Sequence, residues 1–383
     1  MPGPLHGTRV VELAAVGPVP FAGMLLADLG ADVVRVDRLP GTDPYAQGPM
    51  GGTGPLGRGR RSVAVDLRHR EGADVVRTVC ARADVLLEGY RPGVAERLGL
   101  GPEVLTADNP RLVYARMTGY GQDGPLAGEV GHDLTYLAYA GVLHAIGEAG
   151  RRPVPPLNLV GDFGGGGMVL VAGVLAALLE RERSGRGQVV DAAMAEGAAY
   201  LSTMVRAAYG AGAWRDERGA NLLDGGAPHY RCYETSDGRW MAVAALEPAF
   251  WTAMLDRLGL GEAGLPSPYD PRAWPELHAR LEVVFAGRTR DDWVEVFAGV
   301  DACVAPVLSL AEAPEHPHAL HRVAYVQVGD APVPAPVPRL SRTPATAASD
   351  GGPAAGSNTD AVLAEAGFAA DAVRRLRAGG VVA

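Results

Sequence analysis

The feature that most restricts the fold is an alternation, starting at residue 9, between short β-branched runs and stretches with helical spacing. The runs RVVELA, ADVVRVD, SVAVDL, ADVLLEG and RLVYARM begin at residues 9, 31, 62, 83 and 111. Parallel strands need a long crossover between them and a helix supplies it, so this rhythm predicts an α/β fold built on a parallel sheet. The first connection, VGPVPFAGMLLADLG, reads as a loop feeding a helix. It is similar to the first turn of a Rossmann fold, but Gly17 and Gly23 stand apart with prolines between them. The GxGxxG fingerprint of dinucleotide enzymes is missing.

Further along, residues 39–60 form a long Gly/Pro-rich loop ending in Arg58, Arg60 and Arg61. These three arginines suit either an anion-binding patch or a solvated surface. From residue 164 the pattern turns helical, and again over 189–208, and both stretches are too apolar all round for surface helices. They are expected to form a spine. A Gly-rich stretch at 210–227 precedes a second block, in which RWMAVAAL reads as a strand and EPAFWTAMLDRLG as a helix. PRAWPELHARLEVVFAG and RDDWVEVFAG read as further helices, and proline-rich sequence at 331–345 leads to a helical end, DAVLAEAGFAADAVRRLRAGG. Residues 346–360 read as a flexible connector.

Composition removes several chemistries. With 383 residues the chain can bury a large core and has room for two domains. All 35 basic residues are arginines. Without a lysine there is no pyridoxal-phosphate aldimine, no Schiff-base aldolase and no Walker-type phosphate loop. A net charge of −9 argues against a nucleic-acid binder, so an anionic ligand must meet a local basic patch. Cys80, Cys232 and Cys303 have neither metal-site nor disulfide spacing, which suits a reducing compartment. No signal peptide and no apolar run of membrane-spanning length is read, and a cytoplasmic protein without metal or membrane association is expected.

Three segments stand out chemically. GHDLTY at 131–136 places His132 and Asp133 after a Gly/Pro-rich turn; taken alone, His132 reads first as structural. NLVGDFGGGG at 158–167 brings a strand-like run to Asp162, then four glycines, then a long apolar helix. Asp162 suits a helix N-cap, and it equally suits a site where glycines let a ligand approach the backbone and helix-start amides after Asp162 stabilise an oxyanion. ALEPAF at 245–250 puts Glu247 where strand becomes helix, again the place of a capping carboxylate. Met168, Met194, Met204 and Met241 suit core positions or a pliable acyl surface.

Together with LHGTRVVELA, LADLGADVVRVDR, EGYRPGVAERLGLGP, YARMTGYGQDGP, GQVVDAAM and ANLLDGGAPHY, in this order, these segments carry a resemblance. The chain resembles the α-methylacyl-CoA racemase family, within the class III CoA-transferase superfamily, from about residue 4 to its end. That resemblance implies an isomerase acting on 2-methylacyl-CoA thioesters by 1,1-proton transfer, with no cofactor because coenzyme A is part of the substrate. It implies His132 and Asp162 as the acid/base pair and Glu247 as the partner of the histidine. Neutral imidazole and a carboxylic acid can exchange roles at each turnover, and a carboxylate on the ring fixes its tautomer. Arg38, Arg91 and Arg97, with Val65, Leu67 and Leu86, are implied to hold the CoA moiety, and Gly131, Asp133, Tyr136 and Tyr230 to contact the substrate. The arginine fork suits phosphate and its face suits adenine.

The implied architecture is a Rossmann-like large domain, 1–195 with 323–383, a linker at 196–224 and a small α/β domain at 225–322. Two subunits are implied to interlock as a homodimer, with Glu247 reaching the opposite subunit's site. Two other readings stay open: a CoA-transferase of the same superfamily using Asp162 as nucleophile, and a non-catalytic acyl-CoA binder. The residues leave the acyl group and the direction of epimerisation unspecified.

Overall fold

A computed structural model describes residues 3–42 and 52–383. Residues 43–51 of the expected long loop lie outside the described residues. Six strands, β1 (Arg9–Leu13), β2 (Asp32–Asp37), β3 (Arg60–Ala64), β4 (Val85–Glu88), β5 (Val113–Thr118) and β6 (Val189–Ala193), form one parallel sheet ordered β3-β2-β1-β4-β5-β6. This is the order of a doubly wound Rossmann-type sheet. The five β-branched runs are therefore all strands, and their largely apolar make-up on both faces follows from burial on both.

Side chains alternate across a strand, so each run feeds two cores. Val11, Val34, Leu86 and Tyr114 pack on one face with Val75, Val76 and Leu363. Val10, Val33, Val85 and Val113 pack on the other with Leu26, Val171 and Val174. Each such side chain taken fully out of water contributes about 1.5–3 kcal/mol.

The sixth strand corrects the expectation of a helix from residue 189. VVDAA pairs with β5 from Tyr114↔Val189 to Thr118↔Ala193, and helix begins only at Met194. Valine followed by small residues is compatible with either state, and the free edge of β5 decides between them. The expectation of no membrane-length apolar run is also corrected, because Leu159–Ser184 is one continuous helix long and apolar enough by length and composition to cross a membrane. Its Leu170, Val171, Val174 and Ala177 face the sheet core.

Both expectations give way to a third for Arg58 and Arg60. Arg58 pairs with Asp28 at 2.6 Å, and Arg60 with Glu12 at 2.9 Å with both side chains fully buried. Arg61 bridges Asp32 at 2.7 Å and Glu365 at 2.8 Å. Burial of the Arg58 and Arg60 charges is tolerated only with a partner, so these two fasten the start of the third strand, while Arg61 pairs at the part-exposed edge.

The chain divides into two compact units, Met1–Ala140 with Leu157–Leu201 and Pro317–Ala383, and Gly141–Pro156 with Ser202–His316. Gly141–Pro156, expected in the large domain, clusters with the second unit, where Arg218 donates to the His144 carbonyl at 2.8 Å and to the Arg151 carbonyl at 2.7 Å. The stretch expected as a linker contains most of helix Met194–Leu201 and all of helix Thr203–Gly210. In the second unit β7 (Tyr230–Glu234), β8 (Trp240–Ala244) and β9 (Val304–Pro306) form an antiparallel sheet. Helices Pro248–Arg257, Trp274–Phe285 and Arg290–Phe297 cover it around Tyr233, Trp251, Phe285 and Trp293.

Candidate active site

In a doubly wound sheet the winding reverses between β1 and β4, and the loops after those strands leave a crevice at their carboxyl ends. The loop after β1 reaches Gly17, whose φ of 70° and ψ of −115° suit glycine. A Cβ on Gly17 would stand 3.2 Å from Asp162 Oδ2, so the glycine lets the backbone lie against the carboxylate. Asp162 therefore borders the crevice.

Asp162 sits on a π-helical segment, Leu159–Met168, that continues as the α-helix Val169–Ser184. Asp162 is not an N-cap, because that position belongs to Asn158. The wider turn begins with the Phe163 amide donating to the Asn158 carbonyl at 3.3 Å. The amides left without partners inside the helix are those of 159–162, so the oxyanion donors expected after Asp162 are not offered there. The four glycines also serve another purpose. A Cβ on Gly165 would meet the Ala198 amide at 2.5 Å and one on Gly167 the Phe21 ring at 2.6 Å, so they seat the helix against its neighbours rather than opening the backbone to a ligand.

Two polar contacts fix Asp162. Its amide donates to Asp133 Oδ1 at 2.7 Å, and Asn158 Nδ2 donates to its Oδ2 at 3.4 Å. Burial raises the proton affinity of Asp162 above the ordinary carboxylate range, opposed by the Asn158 hydrogen bond, reinforced by the Asp133 charge and opposed again by His132. His132 thus lies within electrostatic reach of Asp162. The imidazole is exposed, while the backbone of His132 is held at the start of helix Asp133–Ala140: its amide donates to Thr135 Oγ1 at 3.0 Å and its carbonyl accepts from the Thr135 amide at 2.8 Å.

Asp133 and Tyr136, implied to touch substrate, also brace the site. Asp133 is 7% exposed, with one oxygen on the Asp162 amide and the other buried without a partner. Tyr136 donates its hydroxyl to the Gly131 carbonyl at 2.5 Å, and its ring occupies the space that a Cβ on Gly119 or Gly131 would need. Burial pushes the Tyr136 hydroxyl up to about 12, with Tyr120, Asp162 and Asp133 adding to the rise and Arg91 opposing it. Gly161 is similarly constrained, since a Cβ there would stand 2.4 Å from Asp133 Oδ1. Gly161→Ala is expected to break the bond to the Asp162 amide, lowering stability by about 1–3 kcal/mol in urea titration and reducing turnover.

Arg38 follows β2, Arg91 lies in the loop after β4, and Arg97 ends the short helix Val94–Arg97; all three are exposed. The side chains of Val65 and Leu86, at 1% and 0% exposure, belong to the sheet core. Leu67 packs half-buried on that same core. In the second unit Tyr230 is half-buried at the start of β7. Glu247 holds the N-cap position of its helix, yet its exposed carboxylate makes no capping bond and is available for other work. Met194 and Met241 are core, whereas Met168 and Met204 are exposed. Asn158 was not singled out in the sequence; its spacing of four residues before Asp162 was the signal.

Fold and site define an α/β protein with a half-buried carboxyl of raised proton affinity, within electrostatic reach of a histidine, at the crevice of a parallel sheet. The chain belongs to CoA-transferase family III, whose model matches residues 5–359. It is 48% identical over 379 residues to the α-methylacyl-CoA racemase of Mus musculus, covering 99% of this chain and 97% of that one. It is 44% identical over the same shares to the α-methylacyl-CoA racemase of Homo sapiens. The beta subunit of succinyl-CoA–L-malate CoA-transferase from Chloroflexus aurantiacus is 33% identical, covering 94% of each chain. Among solved structures, a CAIB/BAIF family protein from Brucella suis matches with a TM-score of 0.81 at 28% identity, covering 96% of this chain and 100% of that one.

Proposed function

We propose that this protein is a cofactor-independent racemase of 2-methylacyl-CoA thioesters, inverting the α-carbon by 1,1-proton transfer through an enolate. The reading is supported by Asp162, half-buried and raised in proton affinity by burial, lying within electrostatic reach of the exposed His132. Inversion needs one group that takes the α-proton while the other delivers one to the opposite face, and an imidazole and a carboxylic acid can trade those roles. The identity to two named racemases over nearly the whole chain supports the same reading.

Arg38, Arg91 and Arg97 are assigned to the nucleotide end of the thioester, as exposed guanidinium groups on or next to loops at the carboxyl ends of the strands. The active form is proposed to be an interlocked homodimer in which Glu247 reaches the His132 of the opposite subunit. Support comes from apolar side chains left exposed on the long helix, Leu159, Met168, Leu175 and Leu179, with Tyr200 and Leu201 following.

Incubating the protein with one enantiomer of a 2-methylacyl-CoA in deuterated water tests the reading. Deuterium is expected at the α-carbon together with inversion, with no acceptor acid present. No deuterium at the α-carbon but a new thioester formed on an added free carboxylic acid would identify a transferase, and neither incorporation nor transfer would leave a binding protein.

A further inference from the structure

We propose that Arg116 is a positioning residue that, through Glu88 and Glu96, sets the loop carrying Arg91 and Arg97 for the nucleotide end of the substrate. This rests on the assignment of those two arginines to coenzyme A. Arg116 stands on β5 in register with Glu88, the last residue of β4. Its Nε donates to Glu88 Oε1 at 2.8 Å and its Nη1 pairs with Glu96 Oε1 at 2.9 Å. The other Glu88 oxygen accepts the Tyr90 amide at 2.7 Å, so one carboxylate ties the first turn of the loop to the sheet. Glu96 lies beside Arg97 in the short helix, so the second pair ties down the loop's far side.

A third tie follows. The Arg116 guanidinium lies over the Tyr114 ring, 5.7 Å from its centre, and the Tyr114 hydroxyl donates to the Leu100 carbonyl at 2.9 Å. Gly93, at φ 79°, turns the chain into the helix, and Arg97 Nη1 folds back to within 3.1 Å of where a Cβ on Gly93 would stand. Residues 89–100 are thus fastened at both ends to buried groups while Arg91 and Arg97 project into solvent. Arg116 and Glu88 are 7% and 0% exposed, so their pairing is little screened, and the planar guanidinium spans two carboxylates as an ammonium cannot. Holding a flexible cation in place lowers the entropy lost when a phosphate docks.

Glu96 is 43% exposed, so Glu96→Gln removes one tie without opening the core. The expected result is a KM for 2-methylacyl-CoA and a Kd for free coenzyme A, the latter by calorimetry, each raised about three- to tenfold, with kcat within twofold. Unchanged Kd and KM, or a fall in kcat alone, would overturn the positioning role. Arg91→Ala is measured beside it. If that variant weakens coenzyme A binding and Glu96→Gln does not, the tie is wrong and the arginine assignment stands. If Arg91→Ala leaves binding unchanged, the assignment itself fails and the positioning role falls with it.

Discussion

His132→Ala is expected to lose inversion of a 2-methylacyl-CoA by about 10²–10⁴-fold while unfolding at the same urea concentration as the parent protein. The loss follows from removing one of two groups that must act on opposite faces of the same carbon. Retention of fold follows from what His132 does structurally, since its links to Thr135 run through the amide and carbonyl and survive the substitution. The imidazole is exposed and fills no core space. Chiral separation of the product thioester reads the outcome, and inversion within tenfold of the parent would remove His132 from the mechanism.

Asp162→Asn is expected to reduce inversion over the same range, with a different signature. His132 remains, so one enantiomer should still exchange its α-hydrogen in deuterated water while keeping its configuration, and the other should not. The sign of the stability effect is also set. The folded-state proton affinity of Asp162 lies above the ordinary carboxylate value of about 3.9, so the native state binds the proton more tightly than the unfolded chain does. That contribution is fully present below the unfolded value and is lost as pH rises through the folded one. Above that window the parent carries a half-buried negative charge that asparagine lacks. The variant should therefore melt higher than the parent at neutral pH, with the gain shrinking as pH falls toward the ordinary carboxylate range. A variant that melts lower at neutral pH would show that the ionised carboxylate is stabilised in its site.

The five β-branched runs, from Val10 to Met117, were legible because alternation and length are local properties of a strand. Asp162 and His132 were legible as candidates, but their roles came from the resemblance, since an aspartate before glycines and a histidine after a turn each have ordinary structural uses. The π-helical turn under Asp162, the Asp133 brace and the Asn158 contact had no periodic signature. The four glycines after Asp162 were read as room for a ligand, whereas a Cβ on Gly165 or Gly167 would strike Ala198 or Phe21.

By itself the chain's order of residues determined a parallel α/β sheet, a lysine-free chemistry and the residue types able to move a proton. Tertiary structure alone decided that Val189–Ala193 is a strand, that Arg58 and Arg60 are buried structural ions, and that Asp133 holds the Asp162 amide. The reason is distance along the chain. Arg60 meets Glu12 across 48 positions and Asp133 meets Asp162 across 29, and a charge's worth depends on the partner and burial that only the folded chain provides.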